Sequence, residues 1–155
     1  MGEVIPFPDA TAVVVRFLAR QFAATDAPVP VGTRVPNPRP ERFVLVRRVG
    51  GHRATLVTDA ARLAVEAWDS SPANAADLAE RCRSWLHAMA GTVQDDVPVY
   101  VVGDVGGPAD LPDPLSDQPR YTFTVEVTVR GGTSGPDVID GTVLVTEDGD
   151  LIVWP

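Results

Sequence analysis

The chain has 155 residues, of which 45% are apolar and 22% charged, and its formal net charge at pH 7 is −8. This length and composition predict a single globular domain with a hydrophobic core and exclude a disordered chain. No run of about 18 apolar residues is present, so no transmembrane helix is predicted. The first ten residues lack the basic and apolar regions of a signal peptide. The one cysteine, Cys82, excludes an internal disulfide.

Charge is distributed unevenly along the chain. Residues 1–62 contain nine arginines and five acids, whereas residues 63–155 contain four arginines and sixteen acids, so the two segments carry +4 and −12. Nucleic-acid binding requires a basic surface, so an acidic chain does not predict it. The opposite charges predict head-to-tail pairing between copies. The alternative is that both segments are solvated surface.

The first half is predicted to contain one helix and three strands. Asp9 follows Pro8 and is a good N-cap, and apolar residues recur after it at helical spacing. Residues 51–61 are too many for a tight hairpin, and we expect them to form a projecting arm. The predicted elements are a helix over 9–24, a short strand over 29–35, an extended proline-rich link over 36–40, and strands over 43–49 and 62–68.

The second half begins with the best-defined helix. Ser71 is its N-cap, Pro72 is its first residue, and Gly91 ends it. In the last strand of this half, apolar and polar residues alternate strictly, and Tyr121 and Phe123 are the first residues of the apolar face. The predicted elements are a helix over 71–90, a strand over 97–102, a loop rich in glycine, proline and aspartate over 105–118, and a strand over 119–130.

Two segments follow the long alternating strand. Residues 131–136 have the composition of a linker, and residues 142–154 are predicted to form a small hairpin with its turn at 147–150. The sequence therefore predicts a main domain over residues 1–132 and an extension over 133–155. The predicted fold is α+β, a two-layer sandwich in which a mainly antiparallel sheet carries two amphipathic helices on one face, plus the C-terminal hairpin.

No motif in the chain indicates catalysis, a cofactor or a metal. The two histidines, His52 and His87, lie outside any zinc-binding spacing, and Cys82 lies on the apolar stripe of the second helix. Four aspartates could gather around a divalent cation, but their spacing is not that of a calcium loop. They are Asp104, Asp110, Asp113 and Asp117. A small hydrolase that uses this aspartate-rich loop is therefore kept as an alternative to a non-enzymatic role.

A dense group of arginines is the other candidate site. Guanidinium groups bind anions and acidic protein surfaces, so either ligand is possible. Head-to-tail pairing would place this group against the aspartates of the loop in the next copy. The predicted interface residues are Arg34, Arg39, Arg42, Arg47, Arg48 and Arg53 on one side, and Asp110, Asp113 and Asp117 on the other.

Three segments that follow an N-terminal helix resemble a known family. They are RVPNPRPERFVLVRRVGG, LVTDAARLAVEAWD before the second helix, and GGPADLPDPLSDQPRYTFTVEVTVRG. Together they resemble the tail terminator, or tail completion, proteins of long-tailed phages that infect actinobacteria. The resemblance covers about residues 4–132, and the C-terminal hairpin lies outside it.

The resemblance implies a structural virion protein without catalysis or cofactor. Its members assemble as a ring, expected to be a hexamer, that caps the tail tube, stops its growth and joins it to the head-side connector. The implied partners are other copies, the major tail tube protein and the connector or stopper protein. DNA would pass through the lumen without specific binding, and no membrane is involved. The implied location is the tail–neck junction of the virion, with assembly in the host cytoplasm. A head-side stopper or adaptor is the alternative within the same class.

Overall fold

The computed structural model describes residues 4–132 and, for the backbone alone, residues 143–145 and 151–153. These described residues contain two helices and eight strands. In chain order these are α1 (Ala10–Ala23), β1 (Val31–Gly32), β2 (Phe43–Arg53), β3 (Thr58–Trp68), α2 (Pro72–Ala88), β4 (Thr92–Gln94), β5 (Val97–Asp110), β6 (Arg120–Arg130), β7 (Val143–Val145) and β8 (Leu151–Val153).

Both helices begin at the residues that the sequence predicts. The side chain of Asp9 accepts a hydrogen bond from the backbone N–H of Ala12, and the side chain of Ser71 accepts one from Asn74. These bonds satisfy backbone donors that have no partner inside the helix. Pro72 stands at the start of α2, where its missing N–H costs nothing.

The strands form one curled, mostly antiparallel sheet that resembles a half-barrel. Among the described strands the order is β4-β5-β6-β3-β2-β1-β8-β7, and only the β1–β2 pair is parallel. Both helices lie on the same face of this sheet, because residues of α1, α2 and the strands share one hydrophobic core. The predicted α+β class with two helices and a mainly antiparallel sheet is confirmed, whereas the two-layer sandwich stays a prediction. We call this helix-bearing side the covered face and the opposite side the open face.

The alternation of β6 decides which side chains enter the core. Phe123, Val125, Val127 and Val129 are buried on the covered face, whereas the residues between them are only partly buried. On the open face a second, smaller cluster consists of Phe43, Leu45 and Trp68. The sheet therefore buries apolar surface on both sides, but to very different extents.

Two segments predicted as loops are strands in the structure. The interpretation of residues 51–61 as a projecting arm is wrong, because β2 continues to Arg53 and β3 begins at Thr58. The loop predicted to begin at residue 105 begins only after Asp110, at the end of β5. Register shifts explain both errors: a bulge between Arg48 and Gly50, and three irregularities in β5, interrupt the two-residue period.

Gly51 shows why the bulged hairpin of β2 and β3 needs glycine. Its φ is +121°, and a Cβ atom built there would lie 2.2 Å from the carbonyl oxygen of Ala60. No L-residue with a side chain tolerates that approach without moving the backbone. The sequence signal was present as a glycine pair, but it indicated a turn rather than a bulge.

The C-terminal hairpin is described only in part. Its two strands, β7 and β8, pair antiparallel, as predicted. β8 also pairs with β1 of the same chain, so the hairpin continues the main sheet at that side. The predicted linker beyond Gly132 and the predicted turn at 147–150 lie outside the described residues.

Candidate interaction surface

The open face carries an aromatic cluster bounded by arginines. The rings of Phe43 and Trp68 stack at 5.3 Å between centroids, with 16° between their planes. The guanidinium of Arg39 lies 5.0 Å from the centroid of Trp68, and that of Arg120 lies at the same distance. Guanidinium–aromatic contacts of this kind hold charged groups over apolar surface. The cluster is thus a rigid, cationic platform at one end of the sheet.

Most of the predicted interface arginines already contact groups of their own chain. Arg39 donates to Oε1 of Gln118 at 2.7 Å, and Arg48 makes two hydrogen bonds to Asp59, at 3.0 and 3.2 Å. Arg47 pairs with the buried carboxylate of Glu66. Two further predicted residues, Arg34 and Arg53, are exposed.

Arg42 and Arg53 complete the arginine group in different ways. Nε of Arg42 lies 3.0 Å from Oδ2 of Asp69. Because this nitrogen makes no hydrogen bond of suitable geometry, the contact is an ion pair without a hydrogen bond. The guanidinium of Arg53 lies 4.6 Å from the centroid of Phe7 and contacts no carboxylate within the described residues. Arg53 thus resembles Arg39, which also contacts aromatic rings and no carboxylate within the described residues.

The predicted acidic residues lie on the β5–β6 connection. Asp110 ends β5, is exposed, and has no side-chain partner in the described part of the chain. Asp113 accepts hydrogen bonds from the hydroxyl and the backbone N–H of Ser116, and the hydroxyl bond is the main reason that its pKa is lowered. Asp117 has a φ of +56° and donates its backbone N–H to the carbonyl of Asp113. The loop is therefore a compact turn.

The tertiary structure brings the basic and acidic halves of the sequence together within one chain. Arg20 pairs with Asp95 at 3.3 Å, and Arg62 pairs with Glu126 at 3.1 Å. The Arg39–Gln118 contact likewise places the arginine group beside the aspartate loop of its own subunit. Part of the charge imbalance along the sequence is thus paired within one subunit.

A charged network ties α2 to β5. Arg83 holds Asp104 through two hydrogen bonds, at 2.7 and 3.2 Å, and Nε2 of His87 lies 2.9 Å from the same carboxylate. These contacts, Arg83 first, hold the pKa of Asp104 well below its usual range. His87 is therefore a structural partner of Asp104 here. A histidine that contacts one ionised carboxylate, with no nucleophile beside it, lacks the arrangement of a catalytic relay.

Other candidate groups for chemistry are separated or buried. Cys82 is completely buried in α2, and burial raises the pKa of its thiol to about 12, which removes its nucleophilic thiolate. No three His, Cys, Asp or Glu side chains of the described residues come together as a metal site. An open cleft of about 410 Å³ is lined by residues 39–41, 69–70 and 118–119. Its buried carboxylate, Asp69, already contacts Arg42.

The described surface thus consists of a curled sheet with exposed strand edges and charged side chains, and no metal-binding group of His, Cys, Asp and Glu forms within the described residues. A family model described as phage tail termination protein matches residues 6–136. The chain therefore belongs to the phage tail termination protein family, and it is a structural component of the virion tail. A search of curated proteins finds no match. Within the described residues, neither helix has the length and apolar character needed to cross a membrane.

Proposed function

We propose that the protein forms a ring that closes the head-proximal end of the tail tube and joins it to the head-side connector. The expected number of copies is six. The observation that carries the proposal is the family match over residues 6–136, which includes both helices and the six strands from β1 to β6. The partners would be the major tail tube protein on one side and the connector or stopper protein on the other. Subunits would assemble in the host cytoplasm and remain at the tail–neck junction of the virion.

The same surface supports a non-enzymatic role. Catalysis by the aspartate loop would require a nucleophile or an acid–base pair, and Asp113 is occupied by Ser116 within its own turn. A carboxylate whose pKa is lowered is also a poor general acid. The structure therefore favours assembly over the alternative of a small hydrolase.

The subunit interface would use the predicted arginine and aspartate groups. Arg53 and Asp110 are candidates, because both are exposed and neither contacts an opposite charge within the described residues. Exposed pairs contribute about 0–1 kcal/mol each, so these charges would select the orientation of neighbours more than the strength of the ring. An excess of acid over base suits a lumen through which DNA must slide without binding.

The decisive experiment removes the protein from the phage. A terminator limits the tube, so its loss should give tails of uncontrolled length that do not join heads, and the purified protein should have the mass of a ring in native mass spectrometry. Loss of a head-side stopper or adaptor would instead leave tails of normal length beside heads that have lost DNA. A protein that is monomeric at every concentration, and present once per virion, would contradict both roles.

We also propose that residues 1–132 fold as a unit and that residues 133–155 act in docking. The described core lies within residues 10–129, while a two-stranded hairpin alone is only marginally stable in water. A chain truncated after Gly132 should therefore remain folded and should join heads to tails poorly. Failure of that truncated chain to fold would show that the pairing of β8 with β1 is essential to the sheet.

A further inference from the structure

Besides the short outermost strands β4 and β7, two long strand segments of the sheet have a side that no described strand covers. In β2, only Val44 and Leu45 pair with β1, and in β5 only the first three residues pair with β4. We call residues 47–53 the β2 edge and residues 100–107 the β5 edge. All residues of the β2 edge are exposed, and the β5 edge is exposed except at Val102 and Gly103. Unpaired edges of this length are templates for strand addition.

The two edges lie at the same level of the sheet. Arg48 pairs with Leu63, which pairs with Val125, which pairs with Asp104. Near the other end of the two edges, His52 pairs with Ala60, which pairs with Thr128, and Thr128 pairs with Val101. β1 bounds the β2 edge at one end, and β4 bounds the β5 edge at the opposite end. Copies placed side by side without a shift would therefore bring the two edges into register.

The strand directions also fit. Three successive antiparallel pairings separate β2 from β5, so these two strands run in opposite directions. Rotation about a ring axis that runs along the strands preserves their directions. The β2 edge of one copy would then meet the β5 edge of the next as an antiparallel pair, with the helices of both copies on the same side of the sheet. Such a contact is heterologous and closes into a ring.

We propose that the β2 edge of each subunit adds to the β5 edge of the next copy of this chain, so that the sheet continues from subunit to subunit. This inference rests on the ring proposed above. The charges agree with the pairing: the β2 edge carries three arginines and no acid, whereas the β5 edge carries Asp104 and no base. In the unshifted register Arg48 faces Asp104 of the next copy. Because both already have partners in their own chain, they would fix the register rather than supply the affinity.

The local sequence suits a backbone contact. Gly50 and Gly51 in the β2 edge, and Gly103, Gly106 and Gly107 in the β5 edge, have no bulky side chains to hold the two backbones apart. Exposed apolar side chains lie in both edges, at Val49, Val101 and Val105. A continuous sheet would bury these side chains and satisfy the unpaired backbone groups.

Engineered cysteines at the aligned positions test the pairing. His52→Cys and Val101→Cys place thiols on the open face of opposite edges, and the native Cys82 is fully buried and serves as an unreactive internal control. Under oxidation, the double variant should give a ladder of crosslinked species up to the full ring. An equal mixture of the two single variants should give dimers only, and each single variant alone should give none.

The controls separate this inference from the proposed function. A matched double variant, His52→Cys with Leu115→Cys, uses a position that is 97% exposed but lies in the β5–β6 loop, and it should give no ladder. If the unmodified protein is a ring by native mass spectrometry but the first double variant gives no ladder, the edge pairing is wrong and the proposed function stands. Dimers from one single variant alone would show like edges pairing about a two-fold axis, which also overturns the proposal. A protein that never forms a ring would refute the proposed function itself.

Discussion

The two faces of the sheet are stabilised by different means. The covered face packs β3, β5 and β6 against two helices, in a core of Ala, Val, Leu and Phe side chains. The open face has one cluster of three apolar residues and carries ion pairs such as Arg47–Glu66 and Arg62–Glu126. Apolar burial is worth more than solvated charge pairs. We infer that the covered face holds the fold together and that the open face and the strand edges are available for assembly.

Truncation of one phenylalanine on each face tests this contrast most strongly. Phe123→Ala should lower the free energy of unfolding by about 3–5 kcal/mol, because its neighbours in the main core cannot close the cavity. Phe43→Ala should lower it by about 3 kcal/mol at most, because its cluster has three members and lies beneath the solvent-exposed side chain of Arg39.

Chemical denaturation of both variants measures the difference. Both side chains are almost completely buried, at 1% and 0% exposure, so burial alone would predict equal losses. A loss for Phe43→Ala as large as that for Phe123→Ala would show that the open-face cluster is a second essential core. The comparison of the two faces would then fail.

The charges of the open face provide a smaller test. Glu66 is 6% exposed and contacts both Arg47 and Arg120, whereas Glu126 is 29% exposed and contacts Arg62. Glu66→Gln should cost about 1–2 kcal/mol, because it weakens charge-assisted hydrogen bonds at a buried carboxylate. Glu126→Gln, the matched control, should cost less than about 0.5 kcal/mol. Equal unfolding free energies for the two variants would mean that solvent screens the Glu66 pairs as well.

The smallest expected effect concerns the network at the rim of the covered face. Arg83, and then His87, lower the pKa of Asp104, so the contribution of this carboxylate to stability is fully present above its unfolded pKa of about 3.9. It is lost as the pH falls through the lower pKa of the folded state. Asp104→Asn should therefore be slightly less stable than the unmodified protein near neutral pH, and the difference should shrink below pH ~4.

Thermal unfolding at a series of pH values measures this convergence. Asp110→Asn is the matched control, because Asp110 lies in the same strand and has no side-chain partner within the described residues. It should follow the unmodified protein at every pH. If Asp104→Asn also does so, the network contributes nothing to folding.

The sequence correctly predicted the elements whose signals are local. The caps at Asp9 and Ser71 fixed where the helices begin, and the alternation from Tyr121 to Val129 identified the buried face of β6. It also indicated the family, because the matching segments run through most of the chain. Helix capping and strand alternation depend on neighbouring residues, so a single sequence is enough to show them.

Other features depend on which strand pairs with which, and only the tertiary structure decided them. The sequence predicted β2 and β5 too short. Each glycine-containing bulge shifts the register and breaks the two-residue period on which strand prediction relies. The charge imbalance suggested opposite surfaces, yet folding brings Arg20 to Asp95 and Arg39 to Gln118 within one subunit. The β2 edge and the β5 edge lie at the same position along the strands because of pairings between residues up to about 70 positions apart. Contacts at that separation result from the closure of the sheet around its core, and no local pattern encodes them.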